Sequence, residues 1–165
     1  MLVPFILRKI RKSKWYKHEG IPWLAEDGLQ ADALGDLQTS DNSLSVWKVK
    51  DDKSNLKRII TALAANGEHI SNFDYALFDI QSLLQLNIQT GNLKGNTPDK
   101  EANVWHLDLI QLSAQNLMDL ARKIMNAERE RILEKDILRS IQKGVALGQI
   151  DITKLKSGVR AKIVL

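Results

Sequence analysis

Cysteine is missing from the chain altogether. Its absence excludes a disulfide framework, thiolate metal sites and a cysteine nucleophile, and it favours a reducing cytoplasm. No stretch approaches the roughly 20 apolar residues of a membrane-spanning helix. The longest apolar run, Met1 to Leu7, gives way to cations at Arg8 and lacks the basic flank and cleavage site of a signal peptide. The three prolines are scattered, and no linker, internal repeat or low-complexity tract divides the chain. Neither standard glycine-rich phosphate loop is present. His18, His69 and His106 are too far apart in sequence to place two imidazoles on one metal ion by helical or strand spacing. The expectation is one cytoplasmic domain over residues 1–165, with no cofactor, no metal and no membrane association.

What the chain does have is an uneven charge distribution. Its formal charge of +4 hides two basic ends and a mildly acidic body. Arg8, Lys9, Arg11, Lys12, Lys14 and Lys17 stand against Glu19 at the start, and Lys154, Lys156, Arg160 and Lys162 crowd the last residues. Only those ends offer a surface for phosphates. Hydrophobic residues make up 44% and charged residues 27% of the chain, the balance of a packed domain and not of a disordered one.

Periodicity assigns the elements. Residues 2–10 favour a strand, confined to an edge or to its first residues by Pro4. Ile21-Pro22-Trp23-Leu24 supplies an apolar strip, and residues 30–37 a short helix. Asp41-Asn42 signals a turn, and the branched and aromatic residues of 43–49 a strand. Leu56, Ile59, Ile60, Leu63 and Ala64 repeat at helical spacing, with Ser54 as the expected cap and Asn66-Gly67 as the stop. Residues 71–86 fit either a helix or a short strand around Tyr75-Ala76-Leu77-Phe78. Gly91, Gly95 and Asn96 mark a loop. Thr97-Pro98 reads as the opening of a long helix running through Trp105, Leu109, Leu112, Leu117, Leu120, Ile124 and Met125. A further helix is expected over about 128–143, led by Glu128 and Glu130, and a terminal strand from Val159. The fold class is then α+β, mainly helical: long C-terminal helices packed with the shorter 55–66 helix beside a small sheet drawn from the two ends and residues 43–49.

The candidate motifs each have a plain structural reading. Ser54-Asn55-Leu56-Lys57, Ser40-Asp41-Asn42 and Lys156-Ser157-Gly158 imitate the serine penicillin-binding set. Here the second motif precedes the first and the chain is too short for that two-lobed scaffold, so Ser54 is read as a cap. Asp51-Asp52-Lys53 after a strand imitates a metal-dependent nuclease core, with Asp51 and Lys53 as catalytic candidates and Asp36 or Asp74 as the second acid. Its plain reading is a solvated turn. His106, two residues from Asp108, is read as a structural histidine. The segment Arg8, Lys9, Arg11, Lys12, Lys14, Trp15 and Lys17 combines cations for phosphates with an aromatic ring for unpaired bases. Its plain reading is a basic edge with the aromatics packed on the core.

Residues 31–34 through 44–47 (Ala31-Asp32-Ala33-Leu34 to Leu44-Ser45-Val46-Trp47), and Thr97-Pro98-Asp99 through Val104-Trp105-His106-Leu107-Asp108-Leu109, resemble segments of small bacterial proteins without an assigned activity. The resemblance implies a bacterial cytosolic accessory protein. The leading expectation is a non-enzymatic protein-interaction or regulatory module whose partner is a protein, either self or other. Behind it stand a nucleic-acid-binding protein using the basic N-terminal segment and, third, a metal-dependent nuclease.

Overall fold

A computed structural model describes residues 4–15 and 29–163. Its centre is a six-stranded antiparallel sheet. The strands are β1 (Phe5–Ile10), β2 (Leu44–Val49), β3 (Phe73–Asp79), β4 (Gln89–Gly91), β5 (His106–Ile110) and β6 (Glu128–Ile132), in the order β4-β5-β2-β1-β3-β6. The helices are α1 (Leu56–Ala65), α2 (Gln81–Gln85), α3 (Ala114–Met125), α4 (Glu134–Ala146) and α5 (Ser157–Ile163).

Strand side chains alternate between faces, so each face has its own core. Leu7, Trp47, Val49, Tyr75 and Leu77 pack under α1, α4 and α5, joined by Ile59, Ile137, Ile141 and Val159. Ile6, Ile10, Val46, Ala76, Phe78 and Leu109 pack on the opposite face under α3, α2 and the 3-10 turn Ala31–Leu37, with Leu37, Leu83, Leu120 and Ile124. The sheet is thus the middle of three layers. This corrects the expected architecture: the fold is α+β, but the sheet is its organising element, and the molecule is not a mainly helical body with a small sheet beside it.

Four local readings change with it. Beginning at Thr97, the expected long helix is instead a buried loop, a 3-10 turn (Ala102–Trp105), β5 and then α3. Gln111 turns the chain at φ 54°, and Ser113 begins α3 with a reciprocal capping box to Asn116. No glycine or proline marks that break, so the apolar spacing runs across it unpunctuated. Glu128 opens an edge strand, and the helix starts at Glu134. The tail is α5, not a strand, because Val159 and Ile163 bury one face at i, i+4 spacing. The cations at the two ends therefore do not share a sheet. Finally, α1 is preceded by Asn55, whose Oδ1 accepts from Lys50 N (2.9 Å) and whose Nδ2 donates to Lys48 O (3.2 Å). Ser54 caps nothing; its backbone N–H donates to Asp52 Oδ1 at 2.9 Å.

Other readings hold. Residues 31–37 form the short helical turn, Asp41 and Asn42 both sit at positive φ in the turn before β2, and residues 71–86 divide into β3 and α2. β1 is central, with Pro4 just ahead of it. The strip at 21–24 lies outside the described residues.

Candidate functional sites on the sheet and beside it

The ladder between β1 and β2 ends early. It pairs Phe5 with Val49, Ile6 with Lys48 and Leu7 with Trp47, whereas β1 stays paired with β3 as far as Ile10 and Asp74. Past Leu7 the two strands part, and Arg8 spans the gap: its Nη1 donates to Ser45 O at 2.7 Å and its Nε to Asp36 O at 3.1 Å. Asp36, at the end of the 31–37 turn, is fixed in its own right. Its carboxylate accepts from Arg11 N (2.7 Å), Arg11 Nε (2.8 Å) and Trp15 Nε1 (2.8 Å). The result is an open cleft of about 780 Å³ lined by Arg8, Lys9, Arg11, Asp36, Ser45, Trp47, Leu63 and Asn72, among others.

Its electrostatics follow from what is already paired. Burial raises the Asp36 carboxyl, but the hydrogen bonds from the Arg11 backbone, Trp15 and the Arg11 side chain outweigh it and leave the group more acidic than usual. Asp74 is gripped by Arg131 through two contacts of 2.7 and 2.8 Å. Arg8 meets carbonyl dipoles, and burial lowers its affinity for a proton against the pull of Asp36. Lys9 sits 5.5 Å from the centre of the Phe73 ring. Burial first, and then repulsion from Arg8, depress its pKa, with Asp36 opposing.

Of the seven residues in the basic N-terminal candidate, the structure brings Arg8, Lys9 and Arg11 to this cleft. Lys12 and Lys14 bound the 3-10 turn after β1, and Lys17 lies outside the described residues. Trp15 is fully buried in the core, where its ring packs and its N–H reaches Asp36. Asp51 and Lys53 are at the other end of β1, separated from the Asp36 and Asp74 end by roughly 17 Å at about 3.4 Å per strand residue. Asp51 is exposed and accepts from Asp52 N. Lys53 pairs with Glu128 at 2.9 Å and lies over the Phe5 ring at 5.3 Å. Among the described residues no cluster of three acids or histidines could hold a metal ion.

His106, Asp108 and Ser45 do converge, on the face that carries Trp47. The hydroxyl of Ser45 approaches Asp108 Oδ1 at 3.1 Å, while His106 Nε2 stays 3.7 Å from that oxygen and Nδ1 engages Leu93 O at 2.7 Å. His106 stands edge-on to Trp47 at 5.2 Å. Nucleophilic catalysis would need the serine to face the imidazole. Here the serine faces the acid, and the histidine ties down the 93–95 loop.

A second concavity of about 580 Å³ runs between α1 and α4. Half-buried Leu56 and Ile132 supply apolar surface above the buried Ile60 and Ile137, and Lys53, Lys57, Arg139 and Lys143 supply cations, with Asp136 the one acid in its lining. It continues past Lys57 and Lys143 into a smaller hollow of about 290 Å³ that reaches Leu147 and Ile150. Lys53 is held by Glu128, and Arg139 lies 3.6 Å from Asp136. Lys57 and Lys143 have no ion-pair partner among the described residues and stand exposed on facing helices. Sequence reasoning missed this groove. Arg139 and Lys143 at i, i+4 were legible on the expected helix, but that α1 supplies the facing wall with Lys57 was not.

No protein-family model matches the chain, and neither a curated protein nor a solved structure shows significant similarity to it. Among the described residues, no helix is long and apolar enough to cross a membrane.

Proposed function

We propose that this chain is a non-enzymatic interaction module of a bacterial cytoplasm, and that it takes an acidic amphipathic helix of a partner protein into the groove between α1 and α4. The observation that carries this reading is the pairing of an apolar strip, in which half-buried Leu56 and Ile132 lie over buried Ile60 and Ile137, with the facing cations Lys57 and Lys143. A helix binds such a groove by laying apolar residues at i, i+3, i+4 and i+7 on the floor, and acidic residues beside that stripe meet the rim. Both walls have useful length: α1 has 10 residues and α4 has 13, or about 15 and 20 Å at about 1.5 Å per residue. Charge at the rim steers the encounter and selects the partner, while the apolar floor supplies most of the affinity.

The test is fluorescence anisotropy of a labelled acidic amphipathic helical peptide added to the full chain. Saturable binding that weakens with salt, and that a peptide with lysines in place of its acids does not reproduce, supports the reading. Equal binding of both peptides, or of neither, overturns it.

Nucleic-acid binding by Arg8, Lys9, Arg11, Lys12 and Lys14 is the second reading, favoured by the meeting of the first three at one cleft. The buried ring of Trp15 removes its stacking element. Affinity for single- and double-stranded DNA and RNA at two salt concentrations decides it, and no binding at low salt ends it. No observation favours a nuclease centred on Asp51 and Lys53.

A further inference from the structure

We propose that the cleft between β1 and β2 is a binding site for a small organic phosphate monoester, with its dianionic head held between Arg8 and Lys9.

The charge balance of the cleft selects the head group. Both carboxylates in its lining are already neutralised, Asp36 by Arg11 and Asp74 by Arg131. Arg8 is held by the carbonyls of Asp36 and Ser45, which are dipoles and cancel no charge. Lys9 contacts a ring and has no ion-pair partner among the described residues. Two positive charges on successive residues of one strand thus have no contact ion pair among the described residues, and Asp36, itself paired with Arg11, offsets both only in part. Successive strand residues ordinarily point to opposite faces. Here Arg8 turns into the gap between β1 and β2 and Lys9 leans over Phe73 of β3, and the lining of one open cleft takes in both. A phosphate monoester carries about −1.5 to −2 charges at neutral pH and answers both cations, whereas a carboxylate answers one. Burial depresses the proton affinity of both Arg8 and Lys9, repulsion from Arg8 adds to the effect on Lys9, and Asp36 opposes it in both.

Donor geometry points the same way. A guanidinium has five N–H groups in a planar fork suited to phosphate oxygens. Arg8 commits three of its contacts to the two carbonyls. Asn72 lines the same cleft, and its Oδ1 accepts from Glu134 N at 2.9 Å, which turns its NH₂ donors away from that contact. Trp47 and Leu63 also line the cleft, and its volume of about 780 Å³ exceeds what a bare phosphate needs. That combination suits a phosphate attached to an apolar or planar body.

The experiment is calorimetric titration of the full chain with phenyl phosphate, with benzoate as the monoanionic control and with an unphosphorylated single-stranded oligonucleotide as competitor. One phenyl phosphate per chain, bound about tenfold or more tighter than benzoate, is the expected result. Lys9→Gln should weaken it about tenfold. Arg8→Gln should weaken it further; because Arg8 also bridges two strands, Lys9→Gln with an unchanged melting temperature is the deciding variant. Absence of saturable binding, equal affinity for benzoate, or indifference to Lys9→Gln overturns the proposal. Displacement of phenyl phosphate by the unphosphorylated oligonucleotide would also overturn it, since the cations would then serve a nucleic-acid backbone. Failure of the acidic-helix reading leaves this result unaffected, because α1 and α4 contribute only Leu63 to the cleft.

Discussion

The indole N–H of Trp15 donates to Asp36 at 2.8 Å across 21 residues of sequence, and the same carboxylate oxygen accepts from the backbone N–H of Arg11. This pair pins the segment after β1 against the 31–37 turn and shapes one wall of the cleft. Asp36 is more acidic in the folded chain than in the unfolded one: burial works against its ionisation, but the hydrogen bonds from Arg11 and Trp15 prevail. A carboxyl with a depressed folded pKa contributes stability that is present above its unfolded value and lost as pH falls through the folded one. Asp36→Asn should therefore cost about 1–3 kcal/mol at neutral pH. In urea denaturation the variant and the wild type should converge in strong acid. A constant difference across that range would mean that the ionised carboxylate is not what holds the segment.

Asp99 is a second buried anchor. Its side chain is 1% exposed and takes Arg58 through contacts of 2.6 and 3.0 Å, while its Oδ1 also accepts from the backbone of Glu101 and Ala102. Removing the carboxylate takes the acceptor from the backbone N–H groups of Glu101 and Ala102 and leaves Arg58 with Glu101 alone, so Asp99→Ala should cost about 1–3 kcal/mol. Glu101 meets the same arginine from solvent, and Glu101→Ala should cost at most about 1 kcal/mol. Thermal unfolding of the two variants checks the contrast.

That loop also shows why part of the fold was legible in sequence and part was not. Thr97 and Pro98 carry the signature of a helix start, yet the hydroxyl of Thr97 bonds to Asn103 Oδ1 at 2.7 Å and closes a buried loop. A local signal was overridden by a contact six residues away. The β3 run Phe73-Asp74-Tyr75-Ala76-Leu77-Phe78 is buried on both faces, so it lacks the alternation that identifies a half-exposed strand. By contrast, α1 exposes one side to solvent and its period of 3.6 reads directly, whereas β2, buried on both faces like β3, was legible through its branched and aromatic residues. The cations of the cleft were legible as a cluster. The partners that neutralise some and spare others come from turns 25 and more residues away, and no local pattern encodes them.

Tyr75 is buried beneath the α1–α4 groove and donates to Glu130 Oε2 at 3.0 Å. Burial, then the bond to Glu130, then the charges of Glu130 and Glu128 all push its ionisation above the ordinary phenol range. An acid with a raised folded pKa gives stability that is complete below the unfolded value, near 10, and lost as pH rises beyond it. Ultraviolet titration should show one of the chain's two tyrosines ionising only with alkaline unfolding. Tyr75→Phe should abolish that late step. Its persistence in the variant would assign it elsewhere.

Gly158 packs so closely that a Cβ there would lie 2.4 Å from Glu68 O and 2.3 Å from His69 Nδ1. The backbone oxygen cannot swing aside as a side chain can, so α5 must shift. Gly158→Ala should destabilise the chain by about 1–3 kcal/mol. An unchanged urea midpoint would show that α5 is not seated against residues 68–69 as described.

The reading of this chain as a binding module depends on the groove between α1 and α4, and mapping the bound peptide tests it most directly. In heteronuclear NMR of the full chain with the acidic amphipathic peptide, the account predicts perturbed amides at Lys57, Ile60, Ile137 and Lys143. It also predicts that the paired charge reversal Lys57→Glu and Lys143→Glu abolishes these shifts while the spectrum stays folded. Perturbations confined to other surfaces, or undiminished binding by the charge-reversed protein, would contradict it.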